Sequence, residues 1–203
     1  MSSESISQSG VGPLQELLYN VFQGLHANAG QRGIVVAMVA PHPGAGTTWI
    51  ARQIVSTLSD GSSQTAACVD LRTAVNGQDG FISVATNNGQ FHKESRASYA
   101  LPEGNWRVNQ DYRKECIEAI RSRFTYTLVD CPSLKESSDV LGMTRLVDGI
   151  VTVVEANKTT RSQLANLNRT LERSSGNILG HLLNKRSYPL PAWLNNVLVQ
   201  RGV

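Results

Sequence analysis

No stretch of this 203-residue chain is apolar for long enough to cross a membrane. Cysteine is scarce: Cys68, Cys116 and Cys131 are odd in number and lack metal-ligand spacing, which agrees with a reducing compartment and with small buried apolar thiols. The four histidines, His26, His42, His92 and His181, also lack ligand spacing, so no metal held by the protein alone is expected. Charge of one sign is not gathered anywhere. The formal net charge is +3 with Lys and Arg scattered, which permits contact with an acidic surface without requiring it. Residues 188–203 carry a single charged side chain, Arg201, so neither a basic membrane-binding helix nor nucleic-acid binding is expected there. The first residues have no apolar signal core. They read as a disordered lead-in over 1–11, and the chain as intracellular. What the chain does have is a 40% hydrophobic content, enough for one core, so residues 12–203 are expected to form a single α/β domain.

The most informative stretch is Ala40-Pro41-His42-Pro43-Gly44-Ala45-Gly46-Thr47-Thr48. Residues 33–39 before it are short, apolar and β-branched, as in a strand buried on both faces. Residues 48–58 after it place Ile50, Ala51, Ile54, Val55 and Leu58 at helical spacing. Strand, glycine loop and helix in that order aim the positive end of a helix at an anion. In a phosphate-binding loop of this kind, glycines let backbone amides curl around phosphate oxygens, a lysine reaches the outer phosphates, and a Ser/Thr hydroxyl meets Mg²⁺. Pro43, Gly44, Ala45, Gly46, Thr47 and Thr48 are thus the candidate nucleotide-binding positions, with Thr48 on the metal side. Thr47 stands where the lysine belongs.

The rest of the chain alternates strand and helix patterns. Pro13 opens a helix with Leu14, Leu17, Leu18, Val21, Phe22 and Leu25 on one face. Strands are predicted over 65–70, 126–130, 149–154 and 178–183, and helices over 111–124, 137–147 and 160–174. Residues 73–110, rich in Gly, Asn and Gln, read as the least ordered part of the chain and are expected to host a long surface loop. Such alternation implies a three-layer fold, a mostly parallel central sheet with helices on both faces. Ligands of such sheets bind beyond the carboxyl ends of the strands.

Two acids fall at such ends. Asp130 closes an apolar strand before Cys131-Pro132, the placement of a Mg²⁺-orienting acid, and Asp70 closes the strand at 65–70 with its carboxylate expected in the same crevice. Both are candidate catalytic residues. With Thr48 they are candidate metal residues, toward Mg²⁺ brought by a nucleotide.

These motifs resemble those of the MinD/ParA-type P-loop ATPases, and most closely the cytoplasmic tyrosine-kinase domains of bacterial capsular and exopolysaccharide export. The kinase loop S-x-x-P-G-E-G-K-S/T is met by residues 40–48, and the D-x-D-x-R strand end by Cys68-Val69-Asp70-Leu71-Arg72. The F-D-Y-x-x-x-D-x-P-P segment is met by Phe124-Thr125-Tyr126-Thr127-Leu128-Val129-Asp130-Cys131-Pro132-Ser133. Later strands match at Val147-Asp148-Gly149 and at Ile178-Leu179-Gly180 leading into Leu183-Asn184-Lys185-Arg186, where the resemblance implies that Asn184 contacts adenine. The likeness runs over about residues 12–195. It implies a P-loop NTPase-like fold, ATP or ADP with Mg²⁺ as cofactor, and a cytoplasmic location at the inner membrane through a partner. That partner would be the cytoplasmic segment of a polysaccharide chain-length regulator or export complex, with a homodimer also allowed.

The departures fall on the chemistry. Thr47 replaces the lysine, Cys68 replaces the first acid of the second motif, no tyrosine cluster follows Tyr188, and the first helix keeps Glu16 without the arginines of the ring-forming pattern. A lysine–phosphate hydrogen bond contributes about 1.5–3 kcal/mol, so its loss is expected to weaken ATP about tenfold to a hundredfold. Phosphoryl transfer, which depends on stabilising charge that develops in the transition state, is expected to suffer more. The sequence therefore reads as a degenerate kinase-like protein that acts by binding. The alternatives are an active ATPase or autokinase using Lys135, Arg72 or His42 as its cation, and a MinD/ParA-like positioning ATPase.

Overall fold

All six residues of the strand Ile34–Val39 are buried. Ile34, Val36 and Met38 pack into one apolar cluster and Val35, Ala37 and Val39 into another. Successive side chains of a strand point to opposite faces, so this strand is the middle layer of three. The computed structural model describes residues 21–22, 24–25, 32–59, 65–78, 81–85, 90–94 and 106–186. The lead-in expected over 1–11, most of the helix expected from Pro13, and the tail from 188 lie outside the described residues.

In chain order the elements are β1 (Ile34–Val39), α1 (Thr47–Ser59), β2 (Ala66–Asp70), α2 (Leu71–Val75), β3 (Ile82–Ala85) and β4 (Phe91–Glu94). They continue with α3 (Gln110–Arg121), β5 (Tyr126–Asp130), a 3₁₀ turn (Asp139–Gly142), β6 (Gly149–Glu155), α4 (Arg161–Arg173) and β7 (Ile178–Asn184). The sheet has seven strands in the order β4-β3-β2-β5-β1-β6-β7. The five strands from β2 to β7 in that order run parallel, and β3 and β4 extend the edge antiparallel. On one face α1 buries Ile50, Ala51, Ile54 and Val55, joined by Phe22. On the other, α3 buries Cys116, Ile117 and Ile120, and α4 buries Leu167 and Leu171. The α/β, mostly parallel, doubly covered fold read from the sequence is the observed one. All three thiols are buried.

One expectation is corrected. Residues 137–147 do not form a helix beyond the 3₁₀ turn Asp139–Gly142. Side chains there compete with the helical ladder. The Ser137 hydroxyl donates to Asp139 Oδ2 at 2.5 Å, Arg107 holds the same carboxylate at 3.1 and 3.2 Å, and the Thr144 hydroxyl donates to Ser174 O at 2.6 Å. Within residues 73–110, of which 79–80, 86–89 and 95–105 lie outside the described residues, the described part is more ordered than expected. Phe81 and Ile82 are buried, β3 pairs with β2, and Trp106 is buried edge-on to Tyr112 with ring centroids 6.3 Å apart. Four-residue strands are too short to declare a period among so many Gly, Asn and Gln. Other boundaries move by one to three residues, the usual fraying.

At the amino ends of the strands a buried guanidinium ties the layers together. Arg121 donates to Gly33 O at 2.8 Å, Leu146 O at 2.6 Å and Asp148 Oδ2 at 2.5 Å, and Asp148 also accepts from the Val35 amide at 2.8 Å. The opposite ends, where β1, β2, β5, β6 and β7 finish, are left to the loop at residues 40–46.

Candidate phosphate site

The loop between β1 and α1 uses its glycines for conformations that other residues rarely adopt: φ is 81° at Gly44 and 96° at Gly46. A Cβ on Gly46 would lie 2.3 Å from Asn184 Nδ2, so no side chain fits there while Asn184 stays in place. The amide of Ile50 bonds Gly46 O at 3.0 Å and starts α1, leaving the first amides of the helix directed at the hollow beyond the loop.

Asp70 and Asp130 are register partners on β2 and β5, which brings both acids to one edge of the hollow. Thr47, Thr48, Arg72, Cys131 and Pro132 line it with them. The Thr48 hydroxyl donates to Asp130 Oδ2 at 2.6 Å. Burial pushes the Asp130 carboxyl above the ordinary carboxylate range. The Thr48 hydrogen bond opposes that shift and the neighbouring Asp70 charge adds to it. A hydroxyl and a buried, disfavoured carboxylate fit Mg²⁺, a hard cation that takes oxygen ligands and usually arrives with phosphates. Asp70 is differently employed. Its Oδ1 accepts from the Arg72 and Thr73 amides and its Oδ2 from the Thr73 hydroxyl, so it caps α2 as well as facing the hollow.

The ends of β6 and β7 form the loop's other wall. Asn184 Nδ2 donates to Ala45 O at 2.8 Å, and Lys185 Nζ donates to Gly44 O at 2.5 Å and to Glu155 Oε1 at 3.1 Å. His42 is buried in the same wall. Its Nδ1 faces Pro43 O at 3.1 Å, an atom that only accepts, so Nδ1 is assigned the proton and Nε2 accepts from the Thr159 hydroxyl at 2.9 Å. Glu155 is 3.8 Å from that ring. Burial raises the Glu155 carboxyl, but hydrogen bonds from Lys158 and Lys185 outweigh it and hold the group below its usual value.

The structure therefore gathers Pro43, Gly44, Ala45, Gly46, Thr47, Thr48, Asp70, Asp130 and Asn184 at the carboxyl end of the sheet. Asn184 contacts the loop itself. Of the candidate cations, Arg72 reaches the hollow and pairs with Glu136 at 2.7 Å, His42 turns into the wall, and Lys135 is exposed beside Pro41 and Gln163. Sequence reasoning missed Lys185, Glu155 and Thr159. Polar and charged residues closing consecutive parallel strands, at Glu155 and Asn184-Lys185, were the available signal.

Loop, acids and strand order define a class, the P-loop NTPase fold. Within it the chain is similar to the kinase domain of the Escherichia coli tyrosine kinase ETK, with TM-score 0.59, 17% identity, and coverage of 87% of this chain and 78% of that one. MinD from Aquifex aeolicus is similar at TM-score 0.57 and 14% identity over 84% of this chain and 73% of that one. So is cobyrinic acid a,c-diamide synthase from Mycobacterium smegmatis with a bound ATP analogue and magnesium, at TM-score 0.56 and 14% identity over 83% and 78%. No protein-family model and no curated protein matches the sequence. At these identities the likeness establishes the shared fold.

Proposed function

We propose that this protein is a degenerate P-loop kinase-like protein that works by binding, with nucleotide held weakly and phosphoryl transfer lost. The observation that carries this reading is the contrast inside one loop. The glycines hold their left-handed turns and Thr48 meets Asp130 at 2.6 Å, yet Thr47 occupies the lysine position. If Mg²⁺ accompanies a nucleotide here, Thr48 and Asp130 would hold it and it would neutralise phosphate charge. With Thr47 in place of the lysine, the loop lacks the cation that would follow the transferred phosphoryl group through the transfer step. The likeness to tyrosine-kinase domains supports a role beside capsule or exopolysaccharide assembly, on the cytoplasmic segment of an inner-membrane partner, with the protein itself in the cytoplasm. Among the described residues no helix is long and apolar enough to cross a membrane.

The test is calorimetry of ATP and ADP with Mg²⁺ on the natural protein and on Thr47→Lys. Weak binding by the natural protein, tightened about tenfold to a hundredfold by the lysine, is the expected result. Mg²⁺-dependent ATP turnover by the natural protein that disappears in Asp130→Ala would overturn the binding-only reading. Silence from Thr47→Lys would remove the nucleotide site altogether.

A further inference from the structure

Lys185 follows β7 in a left-handed backbone conformation, φ 56°, which side-chain-bearing residues seldom adopt. Its Nζ reaches Gly44 O and Glu155 Oε1, across 141 positions of sequence in the first case. An ammonium has three donors, so one remains, and the side chain is 49% exposed. The neighbouring Asn184 grips the next carbonyl, Ala45 O. In a trans peptide the C=O and the following N–H point in opposite directions. Holding the Gly44 and Ala45 carbonyls toward β7 therefore turns the Ala45 and Gly46 amides away from it, to the side where an anion would lie.

Two other cations near this wall and the hollow are held in ion pairs, one of them by the same Glu155 that Lys185 meets at 3.1 Å, and Lys135 lies exposed beside Pro41. Arg72 pairs with Glu136 at 2.7 Å and Lys158 with Glu155 at 3.1 Å. We propose that Lys185 is the positioning cation of this phosphate loop, supplying from β7 the charge and the grip on the loop that its own sequence lacks, for a nucleoside diphosphate with Mg²⁺. This rests on the nucleotide reading above. A charge fixed on the outer wall attracts a bound polyphosphate but does not travel with a transferred phosphoryl group, so it favours occupancy over catalysis.

The experiment is a calorimetric double-mutant cycle with Mg²⁺ and ADP on the natural protein, Lys185→Met, Thr47→Lys and the double variant, with Lys185→Arg as the charge-keeping control. Lys185→Met is expected to weaken ADP about tenfold in the natural background, Lys185→Arg to retain most of the affinity, and Lys185→Met to cost under about threefold once Thr47→Lys supplies a cation. An equal loss in both backgrounds would mean a purely structural lysine and overturn the proposal, as would no loss at all. A silent natural protein beside a binding Thr47→Lys also overturns it while leaving the nucleotide crevice intact. Silence from both overturns the crevice itself.

Discussion

Asp130 carries the sharpest consequence at the scale of one residue. Its carboxyl is raised in the folded protein, first by burial, so ionising it works against the fold. The unfolded chain releases this proton near the ordinary value of 3.8, the folded one only at higher pH. Stability contributed by the protonated form is therefore full below the unfolded value and declines as pH rises through the folded one. Asp130→Asn is expected to raise the urea midpoint at pH 7, with the advantage vanishing below about pH 3.8. A lower midpoint at pH 7 would show instead that the Thr48 bond to the carboxylate outweighs its burial. The cysteines lie at the opposite extreme. Burial pushes the Cys68 thiol up to about 12, so it stays protonated and inert, as a small apolar residue would.

Among the elements, the loop from β1 to α1 offers a matched comparison. Gly44 and Gly46 both have positive φ, but a Cβ on Gly44 meets nothing within 4 Å, whereas one on Gly46 meets Asn184 Nδ2 at 2.3 Å. Gly44→Ala is expected to cost about 1–2 kcal/mol, the backbone penalty alone. Gly46→Ala should cost at least about 1 kcal/mol more, since it also displaces Asn184 from Ala45 O and leaves that polar contact unmade. Urea unfolding of the two variants gives the order, and an equal cost would mean that Asn184 moves aside freely. This element was legible in the sequence because its signals are local: a continuous apolar, β-branched run in β1, glycines in the turn, and helical spacing in α1. The 3₁₀ turn at Asp139–Gly142 was not legible, because Arg107 and the carbonyl of Ser174, both distant in sequence, draw Asp139 and Thr144 out of helical bonding.

For the whole molecule, β1 separates two apolar layers and belongs to both. Ile54→Ala in the α1 layer and Leu171→Ala in the α4 layer should each cost about 2–5 kcal/mol, and each variant should still unfold in a single transition. The double variant should lose the sum to within about 0.5 kcal/mol, since the sheet lies between the two sites. Two resolved transitions, by circular dichroism and tryptophan fluorescence, would mean that the layers fold independently.

By itself the sequence determined the α/β class, the central strand, the glycine loop, the two acids at strand ends and the absence of a loop lysine. Each rests on a period, a turn chemistry or a residue type carried within a few positions. Tertiary structure alone decided what faces the loop. Asp70 is drawn into capping α2, His42 turns into the wall with Thr159, and Lys185 and Asn184 close on Gly44 and Ala45. Parallel crossovers bring the ends of distant strands side by side, and no local pattern records which side chains then meet.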